Sequence, residues 1–91
     1  MKRRVHVYIS GRVQAVAYRA NTQRMAAKYR LGGWVRNLRD GRVEAVFEGD
    51  AEDVEAMVAW CHTGPPLASV NRVDIVEEPY EGRESVFSIA H

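Results

Sequence analysis

Arg19 is the side chain whose setting most suggests chemistry. Before it, Gln14-Ala15-Val16-Ala17-Tyr18 links an alternating run, Val5-His6-Val7-Tyr8-Ile9-Ser10, to a run with helical spacing, Ala20 to Leu31. A short loop between a strand and a helix N-terminus points several backbone N–H groups one way, and the helix dipole adds to their pull on an anion. A guanidinium at the mouth of that helix grips a phosphate through two parallel hydrogen bonds. These residues indicate binding of a phosphate-sized anion around residues 14 to 19. A strand, a loop, a helix and one Arg are a common arrangement, so the surrounding elements must decide what the anion is for.

In the first run, Val5, Val7 and Ile9 face one way and His6, Tyr8 and Ser10 the other. This predicts a half-buried strand, covered by helices on its Val/Ile face, with His6 at the opposite surface. Thr22, Met25, Ala26 and Tyr29 fall at i, i+3, i+4 and i+7 and predict an amphipathic helix. Gly32-Gly33 is expected to end it, with one of the pair left-handed. Runs from Trp34 to Leu38 and from Val43 to Phe47 flank Arg39-Asp40-Gly41-Arg42, whose Asp-Gly predicts a hairpin turn. Trp34 is read as a packing residue. Asp50 is predicted to cap a second helix, with Glu52 and Asp53 in its positive first turn. Val54, Met57, Val58 and Cys61 form that helix's apolar stripe. Cys61 therefore reads as core rather than nucleophile, and Trp60, off the stripe, as partly exposed. Gly64-Pro65-Pro66 stops the helix. A fourth strand from Arg72 to Glu78 and a short fifth from Ser85 to Ile89 complete the chain.

The order β-α-β-β-α-β with an extra terminal strand predicts an α+β fold. The expected form is a ferredoxin-like split β-α-β sandwich, with an antiparallel-rich sheet, two helices on one face and one domain over residues 1–91. A right-handed helical crossover makes the first two strands parallel, with the third between them. Both then end at the same edge of the sheet. One delivers the loop and Arg19 there; the other delivers Arg36-Asn37, so the neutral carboxamide of Asn37 can reach the anion site.

Thirteen Lys plus Arg against twelve Asp plus Glu leave a net charge of +1, which argues against a nucleic-acid partner. The Arg residues between 30 and 42 are followed by Glu44 and Glu48 and read as a solvated strand and turn surface. One cysteine allows neither an intrachain disulfide nor a paired-thiol metal or redox site. Met1-Lys2-Arg3-Arg4 has no long apolar run behind it, and no stretch is apolar enough to span a membrane. A soluble, cytoplasmic protein without a membrane partner is expected, and its size suggests a monomer.

Two motifs now stand together. Gly11-x-Val13-Gln14-x-Val16-x-Tyr18-Arg19 resembles the first signature of the acylphosphatase family. Gly33-Trp34-Val35-Arg36-Asn37-x-x-x-Gly41-x-Val43, continuing to Gly49, resembles the second, and Gly64-Pro65-Pro66-x-Ala68-x-Val70-x-x-Val73 is similar to the family's run into the fourth strand. The resemblance spans essentially the whole chain. It implies hydrolysis of a small-molecule acyl phosphate to a carboxylate and inorganic phosphate, with no metal and no cofactor. Arg19 matches the family's phosphate-binding Arg and Asn37 its water-orienting Asn; the backbone of Gln14, Ala15, Val16, Ala17 and Tyr18 matches its phosphate cradle. An acyl phosphate is a mixed anhydride with a good carboxylate leaving group, so positioning and charge stabilisation suffice and no Ser–His or Cys–His pair is needed.

The chain departs from the family pattern twice. Ala15 stands where the family usually has Gly, which implies backbone strain if φ is positive there, or a methyl group crowding the phosphate if it is not. Either way, an altered catalytic efficiency is expected. The chain ends on His91 where many members end on an aromatic residue whose carboxylate approaches the Arg; His91 itself is given no catalytic role. The alternatives are binding modules. An RNA-binding version would carry basic and aromatic residues in its central strands, whereas Val43-Glu44-Ala45-Val46-Phe47-Glu48 is acidic with one aromatic. A metal chaperone would need paired cysteines. An acylphosphatase-like module that holds phosphate with little turnover is the remaining alternative.

Overall fold

The computed structural model describes residues 1–90, so His91 and its terminal carboxylate lie outside the described residues. Strand β1, Lys2–Arg12, runs into a loop and then helix α1, Tyr18–Lys28. Strands β2, Gly32–Asn37, and β3, Val43–Asp50, form a hairpin, and helix α2, Ala51–Thr63, follows at once. Strands β4, Ser69–Glu78, and β5, Phe87–Ile89, end the described chain. The sheet order is β4-β1-β3-β2-β5. Every neighbouring pair is antiparallel except β2 and β5, which are parallel. The third strand lies between the first two, as the split β-α-β pattern requires, and both helices pack on the sheet. No helix among the described residues is long and apolar enough to cross a membrane.

The period-two pattern of β1 is realised directly. Val5, Val7 and Ile9 are fully buried, as are their cross-strand partners Phe47, Ala45 and Val43. Phe87 stacks on Phe47 with ring centroids 5.4 Å apart, which carries the core out to the β5 edge. Val54, Met57 and Cys61 are fully buried along α2. Burial pushes the Cys61 thiol up to about 12, so this cysteine is a core residue and no nucleophile. Trp60 is partly buried, against the Tyr18 ring.

Three local expectations are corrected. The residue that takes the left-handed conformation at the end of α1 is Arg30, with φ +56°; Gly33 does have a positive φ, +138°, but within β2. Gly32 and Gly33 belong to β2, where a side chain on Gly32 would collide with the Glu84 carbonyl and one on Gly33 with the Val46 carbonyl. Close backbone approach, not helix termination, calls for the pair. Asp50 precedes α2, but its side chain makes no capping hydrogen bond. It accepts instead from Lys2 Nζ at 2.7 Å, because antiparallel pairing sets Lys2 opposite Asp50. His6 does lie on the sheet face away from the β1 core residues, yet it is only partly exposed. Its ring nitrogens lie 2.6 Å from Glu44 and 3.0 Å from Glu78. The Trp34 ring packs edge-on against His6, 5.7 Å between centroids, as a packing residue should.

Candidate active site

After β1 the chain bends through residues 14–17 before entering α1. Ala15 and Ala17 both take left-handed backbone angles, each with φ +61°. Of the two outcomes open for Ala15, positive φ is therefore the one that holds. Ala17 is the N-terminal boundary residue of α1, and no side chain caps the helix there. Nor does the first turn of α1 contain an acidic residue, whereas α2 carries Glu52 and Asp53 in its own. A helix start leaves four N–H groups without helical partners, and the positive end of its dipole favours an anion. Arg19 sits in that first turn. A cation there is opposed by the dipole, which makes its position informative, because an anion bound between the two would reverse the sign of the interaction. None of the ion pairs among the described residues engages Arg19.

On β2, Val35 is buried and Asn37, two residues on, shares its face of the sheet. This alternation sends the Asn37 carboxamide toward the loop while Arg36 goes to the other face and binds Glu44. A cleft of about 330 Å³ results, lined by Ala15, Ala17, Tyr18, Arg19 and Asn37, together with Val13, Ala20 and Ile89. Asn37 lines the cleft, and its Oδ1 is buried without a hydrogen-bond partner. A buried carboxamide oxygen without a partner costs free energy unless something in the cleft donates to it.

The structure thus brings Arg19, Asn37 and the backbone around Ala15, Ala17 and Tyr18 into one place. Gln14 and Val16 belong to the loop but their side chains turn away from the cleft; Val16 is buried in the core, and the Gln14 side chain reaches the β2–β3 hairpin. The Tyr18 ring is also buried, its hydroxyl donating to the Cys61 carbonyl at 2.8 Å, which ties the start of α1 to the last turn of α2. Val13, Ala20 and Ile89 were not singled out in the sequence as site residues. For Ile89 no local signal existed, since its place depends on β5 pairing parallel to β2. Among the described residues no group of three His, Cys, Asp or Glu side chains is placed to hold a metal ion.

The molecule is therefore an α+β sandwich with a cleft where the first strand's loop meets the end of the second. The acylphosphatase family model matches residues 5–89. An acylphosphatase from Syntrophobacter fumaroxidans is 57% identical over 88 residues, covering 97% of this chain and 91% of that protein. One from Natronomonas pharaonis is 62% identical over 79 residues, covering 87% and 86%. The crystal structure of acylphosphatase from Bacillus subtilis superposes with a TM-score of 0.94 at 33% identity, covering all of both chains. The chain belongs to the acylphosphatase family. It is a hydrolase that acts on small-molecule acyl phosphates and releases inorganic phosphate. A binding module with little turnover is not favoured by these matches.

Proposed function

We propose that the backbone N–H groups of Gln14 to Tyr18 and the Arg19 guanidinium hold the phosphoryl group, and that Asn37 holds the attacking water. The observation that carries this reading is that Asn37, whose Oδ1 has no hydrogen-bond partner, lines the same cleft as Arg19 and the uncapped start of α1. The carboxamide oxygen accepts a hydrogen bond from the water and leaves one of its lone pairs directed at phosphorus. As the water oxygen bonds to phosphorus, the bond from phosphorus to the acyl oxygen breaks and the carboxylate departs with its electron pair. The proton shed by the water passes to a phosphoryl oxygen, so no protein base is required. Arg19 and the loop N–H groups, fixed before the reaction, stabilise charge on the phosphoryl oxygens in the transition state.

Benzoyl phosphate hydrolysis in the presence of EDTA tests this reading. Arg19→Ala is expected to lose at least ~3 kcal/mol of transition-state stabilisation, the scale of one preplaced electrostatic group. Full turnover in that variant would remove Arg19 from the mechanism. EDTA should leave the rate intact, and a strict Mg²⁺ requirement would overturn the metal-free route. The same reading has the chain acting as one domain and as a monomer, supported by its length, and in the cytoplasm, supported by its single cysteine. Sedimentation at assay concentration checks the monomer.

A further inference from the structure

The Gln14 side chain makes a link that the mechanism above does not use. Its Nε2 donates to the Leu38 carbonyl at 2.7 Å and to the Arg42 carbonyl at 2.9 Å. These two carbonyls close the base of the β2–β3 hairpin: Leu38 N donates to Arg42 O at 2.8 Å and Gly41 N to Leu38 O at 3.2 Å. Leu38 directly follows Asn37, and Gln14 directly precedes the left-handed turn at Ala15. Both N–H bonds of one planar carboxamide are therefore committed to the strand end that carries Asn37. The ladder between β1 and β3 ends at the pair Ile9–Val43. Among the described residues no backbone hydrogen bond outside the helices and strands joins residues 14–17 to residues 38–42. Among the described residues, the polar side-chain link between the loop at residues 14–17 and the hairpin at residues 38–42 is Gln14, while Gln23 of α1 separately reaches β5 by donating to the Phe87 carbonyl at 3.2 Å.

We propose that Gln14 is a positioning residue for acyl phosphate hydrolysis, setting the distance between the loop with Arg19 and the water-holding Asn37. The proposal rests on the roles given above to Arg19 and Asn37. Loop N–H groups and guanidinium both belong to the β1–α1 segment and bind phosphate without help from the hairpin. The water does not: it must lie in line with the breaking bond, and its holder comes from β2. Loss of the Gln14 link therefore affects turnover and spares anion affinity.

The test uses Gln14→Met, which keeps length and packing but has no donor, alongside Gln14→Ala. Each is measured in the otherwise unchanged protein and in an Asn37→Ala background, with benzoyl phosphate as substrate and inorganic phosphate as competitive inhibitor. Since a displacement of ~1 Å can lower a rate as much as ~100-fold, kcat should fall about 10- to 100-fold while the inhibition constant of phosphate stays within about twofold. In the Asn37→Ala background the Gln14 change should have no further effect, because nothing is left for it to position. An unchanged kcat, phosphate affinity lost in step with kcat, or the same fold loss in both backgrounds would overturn the proposal. Full turnover by Asn37→Ala alone would instead sink the role of Asn37, whatever Gln14 does.

Discussion

At Ala15 the backbone turns through φ +61°, a conformation that brings Cβ close to the backbone in any L-residue except glycine. The same holds at Ala17. The cost is on the order of 1 kcal/mol at each position. Replacing Ala15 by glycine should therefore stabilise the fold by about 0.5 to 1 kcal/mol, the strain relieved exceeding the backbone entropy added. It should also raise catalytic efficiency on benzoyl phosphate, as the loop relaxes around the anion. Urea unfolding and kcat/KM for Ala15→Gly check both parts, and identical kinetics would detach Ala15 from catalysis. Cys61 offers a contrasting case. With its thiol fully buried and its ionisation opposed by burial, it should stay inert to a chromogenic disulfide reagent in the native protein and react stoichiometrically in urea.

The elements meet where α1 starts and α2 ends. The Cys61 carbonyl lies in the last turn of α2, among groups that lack helical partners, and the Tyr18 hydroxyl satisfies it. Tyr18→Phe should cost about 1 to 2 kcal/mol, since it leaves that buried acceptor without a donor. Because Tyr18 opens α1 and Arg19 follows it, the variant should also weaken competitive inhibition by phosphate. A stability loss with unchanged phosphate inhibition would show that Arg19 is held independently of this contact. At the same scale Gly64 ends α2 with φ +67°, where a Cβ would press on the Tyr18 ring at 2.8 Å. The Gly-Pro-Pro stop is thus also a packing requirement of the helix start beneath it.

Across the whole molecule, the sheet face away from the β1 core residues is held by paired charges. Burial raises the Glu44 carboxyl, but the bonds from Arg36 and His6 and their charges outweigh it and leave the group below its ordinary 4.5. Glu48 behaves likewise. Burial raises it, and the N–H groups of Glu84 and Gly82 together with Arg4 bring it below the same value. Carboxyls depressed in the folded state contribute stability that is complete above the unfolded value and lost as pH falls through the folded one. Unfolding free energy should therefore decline as pH is lowered below 4.5, the ordinary value of both groups. Glu48→Gln should lower stability at neutral pH and flatten that decline. An unaltered pH slope in the variant would show that other carboxyls carry the dependence.

Much of this protein is legible in its amino-acid order because the relevant physics is local. Alternation in Val5 to Ser10, three- and four-residue spacing in Val54 to Cys61 and the Asp40-Gly41 turn each encode their own element. The order of those elements then leaves one chiral solution for the sheet. Arg19 and Asn37 are legible for the same reason: once β1 and β2 are parallel, both must end at one edge. What only tertiary structure decided concerns distances between segments far apart in sequence. Gly32 and Gly33 read locally as a helix stop, whereas their need is set by the approach of Glu84 and Val46. Asp50 reads as a cap until β1 brings Lys2 to it, and His6 as surface until Glu44 and Glu78 close around it. Ile89 enters the cleft because β5 adds parallel to β2, and Gln14 bridges to Leu38 and Arg42 because the hairpin folds back over the loop. A side chain's own residue type states what bond it can make; which partner it finds depends on packing that no local window contains.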